Sequence, residues 1–573
     1  MNTTRRDLFA GVLGMTAMAS AWPGDRARAH DRPTGPARKT RSASVARNGM
    51  VATSQPLAAM VGVGVLQRGG NAIDAAIATN AAMGVVEPTG NGIGGDLFAI
   101  VWEAKTRKLH GLNSSGRSPA LATIEEFRRR GLEAIPTFGP LSWSVPGCVA
   151  GWAELHGKFG TKPFYELLEP AIGIATEGYP VTEVIAAEWG GSARSLGRVP
   201  TTAATFLPNG RAPRRGEIFR NPNLAATLSL IAKEGRDAYY LGPIAKVIDS
   251  YSQEVDGLLR AGDLASHTST WVEPASVNYR GYDVWELPPN GQGISVLQML
   301  NLLEPFDLTS LGFGSAKALH LLIEAKKLAY EDRARYYADP EKRKVPVERL
   351  ISKEYAKERH ARIDPAKASD HPEPGEVPVG SDTIYLTVVD KDRNAVSLIQ
   401  SNYNGFGSGH APGKLGFCIQ NRGCSFALDP SHANALEPGK RPFHTIIPAF
   451  VTKDNGPWLS FGLMGGDMQP QGHVQMITNM VDFGMDVQEA GDAPRWQHFG
   501  SSQPTGQRAA DGGTVALESE IPEAVRKELE SMGHKLLRSR GGFGGYQAIR
   551  IDEAGGILLG GSDPRKDGAA IGY

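Results

Sequence analysis

At 573 residues the chain is too long for one ordinary domain and fits either two or three domains or one large layered unit. A hydrophobic share of 41% and a charged share of 21% are those of a globular protein, and 61 basic against 61 acidic side chains give no support to nucleic-acid or polyanion binding. Three cysteines, Cys148, Cys418 and Cys424, exclude a disulfide framework; Cys418 and Cys424 could pair, but two buried thiols are the default expectation.

Thr4-Arg5-Arg6-Asp7-Leu8-Phe9 opens a moderately apolar run that reaches Trp22, and Ala27-Arg28-Ala29 follows as a small-residue cleavage site. That order reads as a twin-arginine export signal over residues 1–29, against the alternative of a cytoplasmic tail that happens to hold two arginines. No later stretch is long and apolar enough to span a bilayer, so a soluble periplasmic or secreted protein is expected. Residues 30–47 are basic and Pro-rich, a lead-in to the folded part.

An Ala-rich helix is predicted from Gln67-Arg68-Gly69-Gly70-Asn71 to Val85. The glycine run Gly90-Asn91-Gly92-Ile93-Gly94-Gly95-Asp96 precedes a strand, Leu97 to Trp102, instead of opening a helix, which excludes a dinucleotide fingerprint. Residues 164–326 read as helices and short loops. Trp285 to Gly293 is a strand-to-helix turn, and Ala325 to Tyr337 is an amphipathic helix. Residues 341–379 are charged and Pro-rich, an exposed lead to a processing site.

The turn-prone run ends at Gly380-Ser381-Asp382-Thr383, and a strand begins with Ile384, Leu386 and Val388 on one face. Asp390 to Asn394 form a hairpin loop and Ala395 to Gln400 the return strand. Pairing Val389 with Ala395 sets Thr383 opposite Ser401. A threonine that starts a strand and faces a second hydroxyl suits an N-terminal nucleophile whose freed α-amine acts as base. The plain alternative is a β-branched residue in a sheet. Further on, a strand from Trp458 to Leu463 meets Gly465-Gly466 before a helix near Gln471 to Val481. Adjacent glycines there can form a nest of N–H groups, as an oxyanion hole requires; the plain alternative is an ordinary strand–helix turn. The 13 histidines show no metal-ligand spacing and no Walker loop is present, so no metal and no cofactor is expected.

Asp382-Thr383-Ile384-Tyr385-Leu386-Thr387-Val388-Val389-Asp390 resembles the start of the small subunit of the gamma-glutamyltranspeptidases, in the N-terminal-nucleophile hydrolase superfamily. The resemblance extends through Glu87 to Asp96, Ser144-Val145-Pro146-Gly147-Cys148, Met464-Gly465-Gly466-Asp467, Ala493-Pro494-Arg495-Trp496 and Gly561-Ser562-Asp563-Pro564-Arg565. It covers nearly everything after the signal. It implies an α+β, four-layered αββα fold made as one precursor. That precursor cuts itself between Asp382 and Thr383, dividing a large-subunit region, 30–382, from a small-subunit region, 383–573, within one unit. It further implies Thr383 as nucleophile, Ser401 orienting its hydroxyl, and Gly465 and Gly466 holding the oxyanion. The partners would be an amide or peptide substrate, such as a gamma-glutamyl amide of the glutathione type, and water or an amine as acceptor.

Departures fall on substrate recognition. The family's carboxylate-binding arginine aligns with Ser115, with Arg117 two residues on as a substitute if both share a strand face. Its acidic partner for the α-amine aligns with Ser425, its serine pair with His444-Thr445, and Arg422 stands where a glutamine or an acid is usual. The loop between Phe426 and Arg441 is short, like that of lidless, mainly hydrolytic members. An acylase for a dicarboxylic monoamide such as a glutaryl group, and a non-catalytic exported binding protein, are the alternatives.

Overall fold

Strand alternation decides the layering. In the computed structural model, which describes residues 40–370, 383–539 and 541–573, strand Ile384–Val389 turns Ile384, Leu386 and Val388 toward helices. Tyr385 and Val389 turn the other way, into an apolar layer shared with a second sheet. The expected export signal and Asp382 lie outside the described residues.

The first sheet has seven antiparallel strands, in the order Ala569–Gly572, Met50–Thr53, Ile384–Val389, Ala395–Ser401, Asp96–Glu103, Lys108–Ser114 and Thr270–Val272. The second runs Ser44–Ala46, Ile557–Ser562, Gly545–Asp552, Gly456–Met464, Ala449–Lys453, Tyr282–Glu286 and Ala275–Tyr279. Between them lie Phe98, Ile100, Tyr385, Ile399, Phe450 and Ile549. The sheets come close enough that a Cβ on Gly462 would sit 2.4 Å from the Tyr385 ring, so this strand position requires glycine.

Helices cover both outer faces. Ala72–Val86 is buried along nearly its whole length; its alanines let the first sheet approach, and Asn71 and Asp74 close its N-terminus as a capping box. Leu386, fully buried in this layer, would cost about 2–5 kcal/mol on truncation to alanine. On the far side, helices Ile294–Leu303, Ala316–Tyr336 and Met468–Val481 pack on Val451, Leu459 and Phe461. The layers are therefore helix, sheet, sheet, helix, the αββα order expected.

Three elements differ from the sequence reading. The stretch read as helices and loops contains the strand pair Ala275–Tyr279 and Tyr282–Glu286. The helix predicted from Ala325 begins at Ala316, where the Ser315 side chain caps it, and burial on most sides hides its amphipathic period. In the charged lead, helix Lys353–His360 forms and Leu350, Ala356 and Ile363 are buried. Residues 40–573 form one unit in which strands from before and after position 382 share both seven-stranded sheets. The three cysteines are free thiols, and no described helix is long and apolar enough to cross a membrane.

Candidate active site

Val389 pairs with Ala395 and Ile384 with Gln400, so one further step along the hairpin sets Thr383 against Ser401. The Thr383 hydroxyl donates to Ser401 Oγ at 3.2 Å, and the Tyr403 N–H donates to the same oxygen at 2.8 Å, which fixes the serine. Thr383 lines a cavity of about 1440 Å³ whose wall includes Lys326, Tyr403, Thr445, Gly465 and Asp467.

Opposite the hydroxyl pair, strand Gly456–Met464 ends in two glycines with positive φ, 117° at Gly465 and 57° at Gly466, before helix Met468–Val481 starts. Their carbonyls accept from Met468 N and Gln469 N, each at 3.0 Å, so they are committed to the helix. Among the described residues neither glycine N–H has a carbonyl partner. Those N–H groups and the helix N-terminus favour negative charge at this corner. Asp467, next in the chain, receives Arg333 at 2.8 Å and Gln503 at 2.8 Å. Burial works to raise its pKa, but Arg333 overrides this and holds the carboxyl below the usual range.

Arg422 opens the short 3-10 turn Arg422–Ser425 and is fully buried. One guanidinium nitrogen donates to Thr445 Oγ1 at 2.8 Å, and the guanidinium carbon lies 4.0 Å from the Tyr403 ring centre. Among the described residues Nε and Nη2 have no hydrogen-bond partner. Burial pulls its pKa down to about 10, so the group stays charged at neutral pH. A buried cation stands behind two wall residues of the cavity. Ser425, also buried, ends the same turn.

His444 faces away from the cavity. Its Nδ1 accepts from Ile446 N at 3.4 Å, which assigns the proton to Nε2, the donor to Asp96 Oδ2 at 2.9 Å. The other Asp96 oxygen accepts from Gly116 N, Gly147 N and Gln420 Nε2. Burial pushes Asp96 up to about 7 and His444 well below its ordinary value; hydrogen bonds from Gln420, Gly116 and Gly147 and the charge of Arg422 work against the first shift. His444 thus holds Asp96, which is paired with Ser401 in the sheet, and Thr445 alone of the two reaches the cavity wall.

Arg117 is placed elsewhere. Strand Lys108–Ser114 ends before Ser115, so positions 115 and 117 do not share a strand face. Arg117 pairs with Glu341 at 2.8 Å, donates to Thr268 O, and lines a separate cleft of about 280 Å³. Among the described residues one group of potential metal ligands converges, His320, Glu324 and His534, within 4.8 Å of one another. The ammonium of Lys327 sits 2.8 Å from Glu324, and the two imidazoles bond each other at 2.8 Å. Sequence reading passed over Tyr403, Lys326 and Arg333. The available signal was Lys326, Tyr330 and Arg333 recurring on one face of a helix that is otherwise packed inside.

A family model described as gamma-glutamyltranspeptidase matches residues 58–573. A glutathione hydrolase-like YwrD proenzyme of Bacillus subtilis is 39% identical over 91% of this chain and 98% of its own. An acylase ACY 1 proenzyme of a Pseudomonas species is 36% identical over 91% and 93%. The crystal structure of cephalosporin acylase from Bacillus halodurans superposes with a TM-score of 0.86 at 43% identity, covering 95% of this chain and 99% of that one. The layered fold with a strand-leading threonine is that of the N-terminal-nucleophile amidohydrolases. Within that class the chain belongs to the gamma-glutamyltranspeptidase family and is a self-processing amidase.

Proposed function

We propose that Thr383 is the nucleophile and that the enzyme hydrolyses amides of short dicarboxylic acyl groups, reading the free carboxylate through Arg422. In maturation the Thr383 hydroxyl attacks the Asp382 carbonyl carbon. The Asp382–Thr383 C–N bond breaks as the threonine nitrogen takes the hydroxyl proton, and water hydrolyses the resulting ester. The α-amine so freed takes the Thr383 proton in turnover and passes it to the leaving amine. Water then resolves the acyl-enzyme, with the developing oxyanion held by the Gly465 and Gly466 N–H groups.

The observation that carries the substrate reading is Arg422, a buried guanidinium behind Thr445 and Tyr403 with two nitrogens that have no hydrogen-bond partner among the described residues. A positive group there favours an anionic acyl end and opposes an ammonium. The acid nearest in the chain to the oxyanion turn, Asp467, is already neutralised by Arg333. A γ-glutamyl group differs from glutaryl only by its α-amine, so the two anilides form the test. The expected ratio of kcat/KM lies within roughly tenfold of unity or favours glutaryl. A γ-glutamyl preference of about 10³, abolished by Asp467→Asn, would overturn the reading. The short loop between Phe426 and Arg441 supports hydrolysis over transfer. Export through Arg5-Arg6 to the periplasm belongs to the same proposal and rests on the leader sequence.

A further inference from the structure

Gln292 sits in the turn between strand Tyr282–Glu286 and helix Ile294–Leu303 and is fully buried. Its side-chain amide makes three hydrogen bonds. Nε2 donates to Thr445 O at 2.7 Å and to Gly466 O at 2.9 Å, and Oε1 accepts from Arg333 Nη1 at 2.6 Å. The same Arg333 nitrogen reaches Asp467, and Nη2 donates to Gln503 Oε1 at 2.9 Å. The guanidinium lies 3.9 Å from the centre of the Tyr330 ring, whose hydroxyl donates to Asp467 O at 2.5 Å. Two side chains therefore join a residue beside Arg422, the second glycine of the turn, and the acid after it.

The need for such a brace follows from the backbone. Gly465 and Gly466 both have positive φ and carry no Cβ, so sterics alone select a turn conformation weakly. Rotating a peptide unit about its neighbours exchanges its N–H for its carbonyl at the cavity. Met468 N fixes the unit between Gly465 and Gly466, which carries the Gly466 N–H, through the Gly465 carbonyl; Gln292 joins Gln469 N in holding the next unit, between Gly466 and Asp467, through the Gly466 carbonyl. The two hydrogens of one amide diverge at a set angle, so Nε2 also sets the spacing between the Thr445 and Gly466 carbonyls. Arg333 in turn fixes which end of the amide points at them, since only Oε1 can accept from it.

We infer that Gln292 and Arg333 are positioning residues that hold the oxyanion-binding turn, and its distance from Thr445, for both self-cleavage and turnover. This rests on the reading of Thr383, Gly465 and Gly466 given above. The test uses the full chain with Gln292→Met, which keeps volume and loses both donors, and Gln292→Glu, which keeps the acceptor for Arg333 and loses the donors. Arg333→Lys keeps the charge and loses the fork. Self-cleavage rate, kcat, KM and thermal midpoint are read for each.

The expected result is a fall in self-cleavage rate and kcat together, on the order of 10²-fold, with KM within about threefold of the original. Arg333→Lys should lie between the Gln292 variants and the unaltered protein. Unchanged kcat in either Gln292 variant would overturn the inference, as would a lowered thermal midpoint with kcat retained, which marks a merely structural role. Thr383→Ala run alongside separates the two claims. Full activity there would remove the nucleophile reading itself. An inactive Thr383→Ala with normal Gln292 variants would remove only the positioning role.

Discussion

Arg422→Met takes away the buried charge while keeping most of the side-chain volume. A carboxylate bound by Thr445 would stand two hydrogen-bond lengths from the guanidinium, about 5.6 Å by the 2.8 Å bond between Arg422 and Thr445 Oγ1 repeated once. At an effective dielectric of about 20 that separation is worth roughly 3 kcal/mol, or about 10²-fold. The assay compares kcat/KM for the p-nitroanilides of glutaric and pentanoic acid, which share chain length and differ in the terminal charge. Arg422→Met should lower the glutaryl value by about 10² and leave the pentanoyl value within a few-fold, collapsing the ratio between them. The thermal midpoint is read alongside, because loss of Arg422 also removes a positive neighbour from Asp96. Equal losses on both anilides, or none on glutaryl, would refute carboxylate reading by Arg422.

Ser401→Ala should slow self-cleavage and turnover together by on the order of 10²-fold, since one hydroxyl orients another in both steps; normal processing with near-normal activity would sink that role. The Glu341 carboxyl is raised by burial but held down overall to about 2 by Arg117 and Arg441. Its folded value lies below the ordinary 4.5, so its contribution to stability is full above about pH 4.5 and is lost as pH falls from there toward 2. Glu341→Gln should flatten the loss of thermal midpoint in that window, and an acid profile identical to the unaltered protein would contradict the assignment. Replacing Arg5 and Arg6 by lysine should trap the precursor in the cytoplasm; unchanged periplasmic yield would remove the twin-arginine proposal.

The hairpin was legible because its signals are local. Alternation from Ile384 to Val388 and a five-residue loop leave one register, and that register brings Thr383 to Ser401. Gly465-Gly466 stood out for the same reason, two adjacent glycines between a strand and a helix. Partners distant in sequence were not legible. Glu341 lies 224 positions from Arg117 and takes its charge, and the end of the strand at Ser114 defeats the two-residue face argument. His444 aligned with a substrate-binding position, yet Asp96, 348 residues away, claims its Nε2. Helix Ala316–Tyr336 carries Lys326 and Arg333 on buried faces, where binary patterning reads charge as solvent-exposed. Arg422 was visible as an unusual residue, whereas the two of its nitrogens left without a partner among the described residues depend on the folded surroundings.

N-terminal sequencing and intact mass of the purified protein test the central claim most directly. The account predicts two chains, the smaller beginning at Thr383 and spanning residues 383–573, and a single uncut, inactive chain for Thr383→Ala. A small chain beginning at any other residue, or an uncut protein with full amidase activity, would contradict it.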